Sequence, residues 1–152
     1  MKYLFDSNTV NDLYEEDNEN YPKLWGKITS LKKTDEVYIS IFTQCELEYG
    51  LENAFNDCKE MIRDKITNIE SDFIILPAQG DIAKYYGKIK KALKEKRGIG
   101  RENLKKHNID LLIASTAISE ECILVSSDGI FQDIPQLLKN NKKTLKYENW
   151  LK

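Results

Sequence analysis

The stretch Asn108-Ile109-Asp110-Leu111-Leu112-Ile113-Ala114-Ser115-Thr116-Ala117-Ile118 decides the fold. Ile109, Leu112, Ile113 and Thr116 make an i, i+3, i+4, i+7 stripe, and Leu111, Ala114 and Ile118 make a second one beside it. A helix apolar around most of its circumference belongs in the middle of a core. Yet it carries Asp110 in its first turn, just after Asn108 as the expected N-cap. Burying an unpaired carboxylate is costly, so such a group normally has a cation, a donor network or a proton beside it. The free N–H groups and dipole of the helix N-terminus supply part of that compensation.

Working outward, a loop over 98–107 precedes this helix, and before it Ile82, Tyr85, Tyr86, Ile89 and Leu93 predict a long amphipathic helix with a basic outer face. After it, Cys122 to Ser126 is an apolar run that predicts a strand, followed by an Asp128-Gly129 turn. Ile130 to Leu138 is a short irregular or helical piece, and Thr144 to Tyr147 is a final strand. At the other end, Tyr3-Leu4-Phe5 predicts a buried strand tipped by Asp6, with Asp6-Ser7-Asn8 capping a helix through Val10 and Leu13. Glu15 to Asn20 is a polar loop, and Tyr21 to Leu31 resumes helical spacing. Val37 to Ile41 is a second strand, and Thr43-Gln44-Cys45-Glu46 opens a helix with Leu47, Leu51, Ala54 and Phe55 on its buried face. Met61, Ile62, Ile66 and Ile69 predict another helix, and Phe73 to Leu76 a third strand stopped at Pro77. Strands alternating with helices imply an α/β sandwich around a mostly parallel sheet of four to five strands. No repeat, low-complexity tract or long linker divides the chain, so 1–152 reads as one domain.

Net charge is −2, which by itself announces no polyanion binder. The distribution says more: ten Lys or Arg stand between Lys84 and His107 against only Glu95 and Glu102. Such a run is either a solvated helix face or a track for a polyanion. Cys45, Cys58 and Cys122 show no C-x-x-C pairing and, with the single His107, build no zinc finger. No apolar run approaches the ~20 residues of a membrane span, and no signal segment precedes Asp6. The expected setting is cytoplasmic and reducing.

Four acids stand at places where parallel α/β sheets carry ligands: Asp6 after the first strand, Glu46 beyond the second, Asp128 after the fourth, and Asp110 opening the helix that feeds it. Each also has an ordinary structural reading. Asp6 can be a cap, Glu46 can close a capping box with Thr43, Asp128-Gly129 is a common turn, and Asp110 suits a helix dipole. Converging without a paired Lys or Arg, the four would repel one another, and a divalent cation resolves that conflict. Hard oxygen donors suit Mg²⁺ or Mn²⁺, with Asp6 and Asp110 as the expected direct ligands and Glu46 and Asp128 binding directly or through water. Ser7 and Asn8 are expected to orient the first acid or a water.

The motifs Leu4-Phe5-Asp6-Ser7-Asn8, Ser40-Ile41 to Glu46-Leu47 with Gly50, Asn108-x-Asp110-x-x-Ile113-Ala114-x-x-Ala117, Val125-Ser126-Ser127-Asp128-x-x-Phe131 and Tyr147-Glu148-Asn149-Trp150 together resemble PIN domains. In length and pattern the chain is similar to the VapC-type toxin ribonucleases of toxin–antitoxin pairs. It departs from the usual pattern in a longer loop over 97–108 and in Ile109 standing between the Asn and the Asp. The resemblance implies a three-layer PIN-like sandwich and a Mg²⁺- or Mn²⁺-dependent endoribonuclease using Asp6, Glu46, Asp110 and Asp128. It also implies a homodimer and a cognate antitoxin that holds it inactive. Lys88, Lys91, Lys94, Arg97, Arg101 and Lys105 form the expected RNA track. His107, in a Lys-rich loop away from the motifs, has no expected role, so its replacement should cost little. Two rival readings stand beside this one. Asp6-Ser7-Asn8-Thr9-Val10, with Asp128 and Asp133, approaches the signature of haloacid-dehalogenase-like phosphotransferases, although Asn8 cannot serve as their second acid. A PIN-like fold can also serve as a non-enzymatic RNA- or protein-binding module.

Overall fold

The computed structural model of the chain describes residues 1–98, 101–134, 138 and 142–152, with the side chains of Arg97, Arg101 and Glu102 outside the described set. Strands β1 (Lys2–Phe5), β2 (Glu36–Ser40), β3 (Ile74–Leu76), β4 (Ile123–Val125) and β5 (Lys146–Glu148) form one sheet in the order β3-β2-β1-β4-β5. Every neighbouring pair is parallel. Parallel neighbours require crossovers, and helices supply most of them: α1 (Ser7–Leu13), α2 (Tyr21–Thr29), α3 (Ile41–Glu52), α4 (Lys59–Asp72), α5 (Ile82–Arg97), α6 (Arg101–Lys105) and α7 (Asn108–Ser119).

Side chains alternate across the pleat, and the alternation sorts the helices into two layers. Tyr3 and Phe5 of β1, Ile39 of β2 and Val125 of β4 share a core with Val10, Leu13, Leu24, Leu47, Leu51, Ile66 and Ile69, from α1 to α4. Leu4, Tyr38 and Leu124, pointing the other way, share a core with Ile89, Leu93, Leu104 and the apolar face of α7. The result is the expected three-layer sandwich. Both faces of the sheet are covered at its centre, which is why β1, β2 and β4 carry short apolar runs. Trp150, just past β5, closes one end of the first core, its ring edge-on to Phe5 at 5.1 Å between centroids, and Phe73 stands edge-on to the same Phe5 ring at 5.3 Å.

Helix α7 is the buried element its composition calls for: Leu111 and every residue from Ile113 to Ile118 are inside. Its two buried hydroxyls are satisfied, because Ser115 Oγ donates to Leu111 O at 2.6 Å and Thr116 Oγ1 to Leu112 O at 2.8 Å.

Several boundaries differ from expectation. Helix α3 is capped by Ser40, whose Oγ accepts from Thr43 N at 3.1 Å, so Thr43 and Glu46 form no capping box and Ile41 is helical. Ala54 is only partly covered, while Phe55 and Met61 are 83% and 69% exposed rather than core. The loop over 98–107 contains the short helix α6. The cap position of α7 is His107, not Asn108; Asn108 Oδ1 instead accepts from Lys90 Nζ at 2.9 Å and Tyr86 OH at 3.1 Å. The piece expected over Ile130 to Leu138 begins as a 3-10 turn, Gly129–Gln132, and positions 135–137 lie outside the described residues. The last strand starts at Lys146 rather than Thr144. Among the described residues no helix is long and apolar enough to cross a membrane.

Candidate active site

The carboxyl ends of β1, β2 and β4 and the N-terminal end of α7 converge on one cleft of about 240 Å³. Its lining is Asp6, Ser7, Asn8, Glu46, Lys106, Ile109, Asp110 and Asp128. All four acids singled out in the sequence are therefore brought together, with Ser7 and Asn8 beside them. A larger cavity, about 610 Å³ and lined by Tyr14, Tyr21, Trp25 and Phe73 among others, shares no residue with this cleft. Chemistry rather than size marks the acidic one as the candidate site.

Asp6 is 3% exposed and caps α1, one carboxylate oxygen accepting from Thr9 N at 2.9 Å. Its other oxygen accepts from the buried hydroxyl of Ser126. The strand register explains this pairing: Phe5 lies opposite Val125 in parallel strands, so the next residues, Asp6 and Ser126, stand side by side. Ser126 Oγ also accepts from Asp128 N at 3.0 Å, tying the first acid to the loop that carries the fourth. Burial pushes the Asp6 carboxyl above the usual range; the Ser126 and Thr9 bonds oppose that push and the charge on Asp128 adds to it.

Asp110 is raised to about 6, first by burial and then by the charges of Asp128 and Glu46, against a lowering contribution from His107. His107 Nδ1 lies 3.4 Å from Asp110 Oδ2, at i, i+3 across the start of α7. This corrects the expectation that His107 stands apart from the motifs. The signal was the spacing itself, since cap and third helical residues share one side of a first turn. Glu46, exposed on α3, accepts a hydrogen bond from Ser7 Oγ at 2.5 Å, and Ser7 Oγ lies 3.2 Å from the buried Thr43 Oγ1. Asp128 caps the following 3-10 turn by accepting from Ile130 N at 3.0 Å.

The donor set fits a hard cation. It consists of carboxylates; burial raises the Asp6 and Asp110 carboxyls most, and the charges of neighbouring acids add to that rise, a cost a divalent ion relieves. Among the described residues no three acids, His or Cys close into a tight metal cage. Mg²⁺-type sites need none, because such an ion keeps several waters and takes only one or two carboxylates directly.

The basic residues are placed less favourably. Lys88, Lys91 and Lys94 are exposed on α5 and Lys105 on α6, and none of them lines the acidic cleft. The side chains of Arg97 and Arg101 lie outside the described residues. Lys106, which sequence reasoning passed over, is the cation that does line it. Asp133 is not in the lining of the cleft and lies 3.5 Å from Lys96, a placement that lends the phosphotransferase reading no support.

Comparison with known proteins agrees with this arrangement. The chain matches the PIN domain family over residues 3–137. It is 29% identical over 142 residues to Ribonuclease VapC2 of Rickettsia felis, covering 93% of this chain and 98% of that protein. Its fold superposes with a TM-score of 0.72 on the crystal structure of VapBC2 from Rickettsia felis bound to a DNA fragment from their promoter, at 27% identity and 99% of both chains. VapBC-1 from nontypeable Haemophilus influenzae gives a TM-score of 0.74 at 23% identity over 100% of both chains, a likeness of fold. With its family match spanning most of the sequence and the four acids gathered at the carboxyl edge of a parallel sheet, the chain belongs to the PIN domain family.

Proposed function

We propose that the protein is a Mg²⁺- or Mn²⁺-dependent endoribonuclease and the toxin of a toxin–antitoxin pair. The observation that carries this is the single cleft lined by Asp6, Glu46, Asp110 and Asp128. Similarity across nearly the whole chain to a Rickettsia felis ribonuclease supports the same reading. Asp6 and Asp110 would hold the ion directly, with Glu46 and Asp128 directly or through water. When bound, a divalent ion supplies charge neutralisation at a phosphodiester and makes water a better nucleophile at neutral pH.

The chain's own residues prepare the site. Ser126 and the Thr9 N–H hold Asp6 in one orientation and favour its ionised form despite burial. Ser7 fixes Glu46, and His107 steadies the ionised form of Asp110. Pre-set carboxylates need little rearrangement when charge develops on the substrate, which is where such sites gain most of their rate. The exposed lysines of α5 do not line the cleft, and their proposed part is to attract the RNA strand by charge from outside it.

A small antitoxin is the proposed partner, in line with the VapBC pairing of the Rickettsia felis structure, and two copies of the chain are proposed to pair. The test compares wild type with Asp6→Asn, Asp110→Asn and Asp128→Asn on single-stranded RNA in Mg²⁺ or Mn²⁺. Wild type cleaves and each folded variant does not; variants that cleave like wild type overturn the assignment.

A further inference from the structure

The acidic cleft poses an electrostatic problem for its proposed substrate. Four carboxylates line it, so even with a divalent ion bound the wall stays negative where a polyanion must approach. Among the described residues, Lys106 is the cation in that lining. It is exposed, and among the described residues it makes no hydrogen bond or ion pair, although four acids share its cleft. Other lysines of this region are engaged: Lys84 with Asp81, Lys91 with Glu95, Lys96 with Asp133, and Lys90 with Asn108 and Tyr86. The backbone under Lys106 is held, since His107 N donates to Leu104 O at 3.1 Å and Leu111 N to His107 O at 2.9 Å. Lys106 thus stands in the turn that leads into α7, four residues before Asp110.

We propose that Lys106 binds a backbone phosphate of the RNA next to the bond that is cut, drawing the strand down to the carboxylates. This rests on the ribonuclease reading. A lysine serving as counter-ion to the acids would lie within ion-pair distance of one of them, and Lys106 does not. An ammonium with three unspent donors at a cleft wall is a point-charge phosphate binder.

The test measures binding of a labelled single-stranded RNA oligonucleotide, by anisotropy across a KCl series in Mg²⁺, to Asp110→Asn and to the same protein carrying Lys106→Ala or Lys106→Arg. Loss of one charge-assisted phosphate contact predicts binding about tenfold weaker for the alanine protein. Its log–log salt slope should fall by about 0.7, the value for one contact to a single strand. The arginine protein should stay close to its parent. Mn²⁺ titration and the melting temperature of Lys106→Ala alone should match wild type. Unchanged RNA affinity and slope overturn the assignment, as does a change confined to Mn²⁺ affinity, which would make Lys106 a counter-charge to the acids. If wild type does not cleave RNA and Asp110→Asn does not bind it, the ribonuclease reading falls together with the assignment. If wild type cleaves and Lys106→Ala cleaves and binds equally well, only the assignment falls.

Discussion

Replacing Asp110 with asparagine should stabilise the metal-free protein while removing its activity. In the fold the Asp110 carboxyl is raised from 3.8 to about 6. At about 1.36 kcal/mol per unit that shift corresponds to roughly 3 kcal/mol against the charged form. The side chain keeps 29% of its surface exposed, so solvent screens part of this, and about 1–2 kcal/mol remains as the gain expected from a neutral isostere. The native state holds the extra proton between 3.8 and about 6, so the wild-type contribution falls as pH rises through that window. The gain for Asp110→Asn is therefore full at pH 7 and shrinks toward zero near pH 4. Urea unfolding of both proteins in EDTA, at pH 7 and again near pH 4.5, measures it. An asparagine protein no more stable at pH 7, or one equally favoured at both pH values, refutes the reasoning.

Ser126→Ala should remove a donor that favours the ionised form of buried Asp6, so Mn²⁺ binding weakens and the acid limb of the activity profile moves to higher pH. The buried oxygen left behind should also lower stability by about 1–3 kcal/mol, read by urea unfolding. His107→Ala should raise the Asp110 carboxyl further, since the histidine lowers it, shifting the acid limb of kcat/KM upward while activity well above pH 7 changes little. Reversing Lys91 and Lys94 to Glu should weaken RNA binding and flatten its salt dependence, while leaving Mn²⁺ binding unchanged because neither lines the cleft.

Much of the architecture was legible because each central strand is an apolar run ending near a polar or acidic residue, as in Phe5-Asp6 and Val125-Ser126-Ser127-Asp128. In a parallel sheet those ends fall on one edge, so Asp6 and Asp128 after two strands meet Glu46 from the helix after β2 and Asp110 from the start of the helix that runs into β4. What escaped the sequence depends on register and on where helices begin. Ser126 serves Asp6 from 120 residues away, and only the Phe5–Val125 register makes them neighbours. Ser40 competes with Thr43 as a cap, and nothing local decides between two hydroxyls three residues apart. The roles of Lys106 and His107 stayed hidden because α6 fills what glycines at 98 and 100 mark as a loop, bringing the turn after it onto the cleft.

The central claim is that these acids serve hydrolysis through a divalent ion rather than attack by the RNA's own 2′-hydroxyl. End-group analysis of RNA fragments from wild type, with Mg²⁺ or Mn²⁺ and again in EDTA, tests it most directly. Hydrolysis through a divalent ion gives 5′-phosphate and 3′-hydroxyl ends, no cleavage in EDTA, and recovery when the ion is restored. Cleavage that persists in EDTA, or fragments ending in 2′,3′-cyclic phosphate, would contradict it.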